Sequence, residues 1–129
     1  MNRQIVLALL AVCVVGLLGC RDLVEPVQGR YMRWNAEALG PGYQAEFKDA
    51  MAWWGSGLTH DPGSDQRAEW SPDLGERLRA VYWPSHPRRI LFNGAKTWTL
   101  PEFCYASRHE LGHFLGLKDS SDPNNVMYP

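Results

Sequence analysis

His109-Glu110-Leu111-Gly112-His113-Phe114-Leu115-Gly116-Leu117-Lys118-Asp119 is the stretch on which the reading of this chain turns. His109 and His113 stand four residues apart. On a helix both imidazoles then project from one face, about one turn from each other, where they can grip the same ion. Glu110, next to the first histidine, reaches a water in an open coordination position without binding the metal itself. Zinc lowers the pKa of such a water, and a carboxylate takes its proton as it attacks a peptide carbonyl. On average residue usage a chance His-Glu-x-x-His arises roughly three times in a thousand chains of this length. The plain alternative is an exposed helix with two unrelated histidines, and the residues around the motif decide between them.

Upstream, Thr99-Leu100-Pro101-Glu102 has the spacing of a capping box, with Thr99 as N-cap and Glu102 three residues on. It predicts a helix from about Leu100 to Leu115. Gly116 stops that helix and lets the chain double back, so that a third ligand can arrive three residues later, at Asp119.

Taken together, these residues resemble the metzincin metallopeptidases and, within them, the matrixins. Asp119-Ser-Ser-Asp-Pro-Asn-Asn-Val-Met127-Tyr128-Pro129 is similar to the matrixin segment that carries the third zinc ligand and runs to the Met-turn. Arg89-Ile-Leu-Phe-Asn93 and Trp98 resemble the strand and tryptophan before the active-site helix. The resemblance is tight over residues 88 to 129; over 30 to 87 it is one of order, strand then helix then strands. It implies an α+β fold, a small mixed sheet packed on two helices, with Zn2+ in a cleft beside an edge strand that pairs with an extended protein or peptide substrate. It implies His109, His113 and Asp119 as zinc ligands and Glu110 as the general base. Met127 would be a hydrophobic floor, and Tyr128 and Pro129 part of the pocket wall.

Two departures from the family pattern bear on the site. Matrixins carry a third histidine where this chain has Asp119, and the chain looks like the snapalysin type in using aspartate there. A carboxylate is an acceptable ligand. It lowers the net charge of the site and makes a bound water less acidic. The alternatives are Asp119 as a turn residue, or Asp122 as the ligand. Matrixins also continue into a further helix, whereas this sequence stops at Pro129, so the expected domain is truncated after the Met-turn.

Working outward, Tyr43, Phe47, Ala50, Met51 and Trp54 recur at helical spacing and predict an amphipathic helix from about Pro41 to Trp54, with Pro41 in its first turn and Gly55 and Gly57 at its end. Arg30 to Trp34 reads as a first strand. Leu78 to Trp83 and Arg89 to Asn93 read as two more, separated by the Pro-flanked His86. Residues 58 to 77 are polar and turn-rich and read as a loop holding at most a short strand. His60 and His86 read as loop or structural histidines, Cys104 as core, and Trp53-Trp54 as core plus one exposed ring.

The N-terminus carries a separate message. Arg3 precedes an uncharged, largely apolar run from Ile5 to Leu18, too short to span a bilayer comfortably and suited to a secretory signal. Leu17-Leu18-Gly19-Cys20 resembles the lipobox of bacterial lipoproteins. The expected organisation is a signal over residues 1 to 19, a tether over 20 to 29 beginning at a lipidated Cys20, and a peptidase domain over 30 to 129. The alternative is an uncleaved anchor helix. Either places the domain on a membrane of the cell envelope, outside the cytoplasm, and Arg21 fits outer-membrane sorting in a Gram-negative source. Cys13 would leave with the signal and Cys20 would carry lipid, so Cys104 has no internal disulfide partner. The chain of 129 residues is long enough for one domain, and its formal net charge of −1 does not suggest nucleic acid, which would want a basic face. Three readings remain in view: a lipid-anchored zinc endopeptidase, a catalytically inactive zinc- or peptide-binding envelope lipoprotein that keeps the fold, and an envelope structural lipoprotein whose motif is residual.

Overall fold

The computed structural model describes residues 32–55 and 57–129. The expected signal, Cys20 and the tether lie outside the described residues. The elements run β1 (Arg33–Trp34), a 3-10 turn (Glu37–Leu39), α1 (Pro41–Trp54), β2 (Thr59–His60), β3 (Arg67–Ser71), β4 (Ala80–Trp83), β5 (Arg89–Asn93) and α2 (Leu100–Phe114).

The strands pair as β2–β1 and β3–β5–β4. A bridge between Asn35 and Arg67 links the two groups, with Asn35 N donating to Gln66 O at 2.8 Å and Ala68 N to Asn35 O at 3.0 Å. The order across the molecule is therefore β2–β1–β3–β5–β4. Only β4 runs antiparallel to its neighbour, pairing Val81 with Leu91 and Tyr82 with Ile90. This is the expected small mixed sheet on two helices.

The 58–77 segment corrects the sequence expectation. It contributes two strands, and β3 occupies the middle of the sheet. Arg67-Ala68-Glu69-Trp70-Ser71 has few β-formers; its pairing with β5, Ala68 opposite Ile90 and Trp70 opposite Phe92, sets its conformation.

Both helices lie against the same face of the sheet, and aromatic rings fill the space between. Phe47 of α1 meets Trp34 and Phe92, while Phe103 of α2 lies 4.2 Å from Phe92, centroid to centroid. Phe114, one residue past His113, packs edge-on against Trp34 at 5.1 Å. Trp34, Phe47, Phe92 and Phe103 are fully buried, and each such side chain contributes about 1.5–3 kcal/mol. The last turn of α2 is thus fixed to the core by the residue next to its second histidine.

Asn93 is the polar hub of this core. It is fully buried, and its Nδ2 donates to Gly75 O at 3.0 Å and Leu78 O at 2.8 Å. Its Oδ1 accepts from Ala95 N at 3.0 Å, and its carbonyl accepts from Trp98 Nε1 at 2.9 Å. One side chain therefore ties the approach to β4 to the turn leading into α2.

Candidate metal centre

α2 begins at the predicted capping box. Glu102 N donates to Thr99 Oγ1 at 3.2 Å and Thr99 N to Glu102 Oε2 at 3.1 Å. The helix ends in a Schellman motif: Leu117 N donates to Gly112 O at 2.9 Å and Gly116 N to His113 O at 3.0 Å, with Gly116 at φ 93°. A residue with a Cβ is strained at that φ. The turn carries Lys118 and Asp119 back over the helix.

His109, His113 and Asp119 come together there, and their ligand atoms all lie within 4.8 Å of one another. The two Nε2 atoms are 3.1 Å apart. Asp119 Oδ1 stands 3.2 Å from His109 Nε2 and 3.1 Å from His113 Nε2. Asp122 stays out of the cluster; its Oδ1 accepts from Asn124 N at 2.9 Å in a local turn.

The other ring nitrogens settle what these atoms can be. His109 Nδ1 lies 2.9 Å from Val126 O, and His113 Nδ1 lies 2.9 Å from Leu117 O. A carbonyl oxygen only accepts, so each Nδ1 carries the proton, and in a neutral ring each Nε2 is a bare lone pair. Two lone pairs and a carboxylate oxygen then face one another with no donor among them. A single proton closes one of the three contacts; a cation closes all three. Ligands about 2.0–2.1 Å from a tetrahedral zinc sit about 3.3 Å from each other, close to the spacings here. Two nitrogens and one oxygen favour zinc over magnesium or calcium, which prefer all-oxygen sites.

Glu110 is buried, with 7% exposure. Burial pushes its carboxyl above the ordinary range, while the neighbouring histidines and a hydrogen bond from the Tyr82 backbone N–H pull the other way. Tyr82 belongs to β4, so the strand at the sheet edge touches the helix through Glu110. Both border a cavity of about 1320 Å³ that also reaches His109, His113 and Asp119.

Met127 is buried under this arrangement and Tyr128 is exposed; Tyr128 and Pro129 line the cavity. A Cβ built on Gly112 would collide with Met127 Sδ and come within 3.0 Å of Trp54 Cζ2. The chain from 119 to 127 is clasped by Ser120 N donating to Met127 O at 2.8 Å, and Asn125 Oδ1 accepts from Met127 N at 2.8 Å. His60 and His86 are not part of the cluster: His60 sits on β2, and His86 is exposed, 3.6 Å from Asp65. Cys104 is half-buried against the core, where burial pushes its thiol up. Trp54 packs on the core and Trp53 is exposed, as the pair was read.

Sequence reasoning missed Tyr82, Gly112 and the two carbonyls that orient the histidines. A glycine inside a helix, about 1 kcal/mol worse than alanine, was the available signal for Gly112. A backbone carbonyl or N–H has no sequence signature.

Over 27 residues the chain is 70% identical to matrilysin of Homo sapiens and 63% identical to matrilysin of Felis catus. In both cases the matched stretch covers 21% of this chain and 10% of the relative. No family model matches the chain. The partial match and the His-His-Asp cluster support a metzincin-type zinc-peptidase fold.

Proposed function

We propose that this chain is a zinc-dependent endopeptidase of matrixin type, with α2 as its active-site helix and residues 125–129 as its Met-turn, held at a membrane of the cell envelope through a lipid on Cys20. The observation that carries the reading is the convergence of His109 Nε2, His113 Nε2 and Asp119 Oδ1, three acceptors that need a cation between them. His109, His113 and Asp119 would hold zinc, which when bound would supply a Lewis acid to polarise the scissile carbonyl and acidify water. Val126 O and Leu117 O keep both imidazoles in the ligating tautomer.

Glu110 handles the proton. Its carboxylate oxygen takes a proton from the attacking water and returns it to the nitrogen of the leaving peptide. The Tyr82 backbone N–H fixes the position of that carboxylate. Met127 floors the site, and Tyr128 and Pro129 form one wall of the substrate pocket. The uncharged run from Ile5 to Leu18, followed by Gly19-Cys20, supports an exported and acylated chain.

The test uses the full chain, assayed for zinc per chain and for cleavage of an unfolded protein beside Glu110→Ala. Stoichiometric zinc and a cleavage rate that falls about 10²–10⁴-fold in the variant are expected. A folded chain that takes up no zinc overturns the reading. Zinc without Glu110-dependent cleavage returns an inactive zinc- or peptide-binding protein. Cys20→Ser, expected to release the chain from the membrane fraction, tests the anchor.

A further inference from the structure

We infer that the cleft selects peptides carrying acidic residues on both sides of the bond to be cut. The inference rests on the peptidase reading and names its substrate class. The chain as a whole is slightly acidic, with a formal net charge of −1, yet the cavity wall is basic. Arg77, Arg79, Arg88 and Lys118 line it, and among the described residues its only lining side-chain carboxylates are Glu110 and Asp119. Both of those belong to the metal centre, and the four cations outnumber them along the cleft.

Their placement follows the edge strand. Arg77 and Arg79 lead into β4, and Arg88 stands at its far end, where its guanidinium bonds the Tyr82 hydroxyl. Lys118 precedes Asp119 on the returning turn and is exposed. Arg79 is held in place by Thr97 O at 2.7 Å and by the Trp98 ring at 4.4 Å, with Glu102 at 3.4 Å offsetting part of its charge.

A peptide added antiparallel to β4 runs its C-terminal part toward Arg79 and Arg77 and its N-terminal part toward Arg88. Strand residues advance about 3.4 Å each. Tyr82 touches Glu110, so Arg79, three residues back, is roughly 10 Å from the reacting bond. An acidic side chain about three residues past the cut therefore reaches the end of the cleft lined by Arg79 and Arg77, and one before the cut reaches the end lined by Arg88, while Lys118 lines the cleft beside the metal centre. Exposed pairs of this kind are individually weak and fade with salt. Four acting along one groove raise the capture rate of an anionic peptide together.

The experiment takes three labelled peptides with one apolar centre, flanked by Glu, Gln or Lys. Binding to the zinc-loaded full chain carrying Glu110→Ala is read by fluorescence anisotropy, and cleavage by the unsubstituted chain as kcat/KM. The Glu-flanked peptide is expected to lead the Gln-flanked one by about five- to tenfold at low salt, with the lead shrinking in about 0.5 M salt. Arg77→Glu and Lys118→Glu should each cut the Glu-to-Gln ratio at least twofold. Equal binding of all three peptides, or a lead for Lys, overturns the inference even if cleavage proceeds. The expected binding order without cleavage supports the charge preference and removes the peptidase reading instead. Tighter binding of a single-stranded oligonucleotide than of the Glu-flanked peptide also overturns it.

Discussion

Asp119→Ala removes one of three converging acceptors and leaves two histidines. Structural zinc sites bind with about 10–16 kcal/mol shared over four ligands, so one ligand is worth about 3 kcal/mol, or roughly a hundredfold in affinity. Competition with a chromophoric chelator reads this directly, and thermal unfolding gives an independent measure. At zinc a thousand times the unsubstituted Kd, binding stabilises by about 4.1 kcal/mol; with a hundredfold weaker site the same zinc gives about 1.4 kcal/mol. For a domain of this size the difference lowers the zinc-loaded Tm by about 10–20 °C. The Asp119 side chain is 55% exposed, so the metal-free stability of the variant should stay within about 0.5 kcal/mol. A zinc affinity within threefold of the unsubstituted chain would refute the placement of Asp119, as would a hundredfold loss in Asp122→Ala with none in Asp119→Ala.

Three further outcomes follow from the fold. Asn93→Leu strands the Gly75 and Leu78 carbonyls and the Ala95 N–H, and should cost about 2–4 kcal/mol in urea unfolding; a cost under about 1 kcal/mol would deny Asn93 its role as hub. Gly112→Ala gains about 1 kcal/mol of helix propensity against about 1–3 kcal/mol of overpacking on Met127 and Trp54, so stability should fall by up to about 2 kcal/mol, and a rise would show that Met127 moves aside freely. Thr99→Ala should lose about 1 kcal/mol of cap. The Thr99 backbone N–H holds the Glu102 carboxyl below its usual range, so its contribution is complete above the ordinary carboxylate pKa and is lost as pH falls through the lowered one; Glu102→Gln should flatten that part of a Tm-against-pH curve, and an unchanged acid limb would count against the capping box.

How much of this was legible in the sequence depended on how local the cause was. α1 runs over the bounds that its apolar spacing and flanking Pro41 and Gly55 predicted, and β5 matches its prediction. α2 starts at its capping box and ends one residue short of the expected Leu115, at the glycine turn. Those signals act within a few residues. β3 shows in the sequence only as a short strand that the 58–77 loop could hold, because Arg67 to Ser71 owes its conformation to a strand some twenty residues away, and pairing of that range leaves little trace in composition. The candidate site divides the same way. Helical spacing and a glycine were enough to bring His109, His113 and Asp119 together. The carbonyls behind the rings, the Tyr82 N–H on Glu110 and the fit of Met127 against Gly112 come from chain segments that meet only in three dimensions.

Among the described residues, β4 has a partner on one side only. A short strand with an open edge invites a second copy of itself, and proteins commonly guard such edges with charge. Here the guard stands at both ends, with Arg77 and Arg79 before the strand and Arg88 after it. Two copies meeting edge to edge would press like charges together, whereas a foreign strand with acidic flanks meets no such resistance. One set of arginines can thus keep the chain apart from its own kind, which on the proposed lipid-anchored reading matters most where copies crowd onto one surface. Light scattering across a concentration series would read the effect, with self-association expected to rise when Arg77 and Arg88 are made neutral.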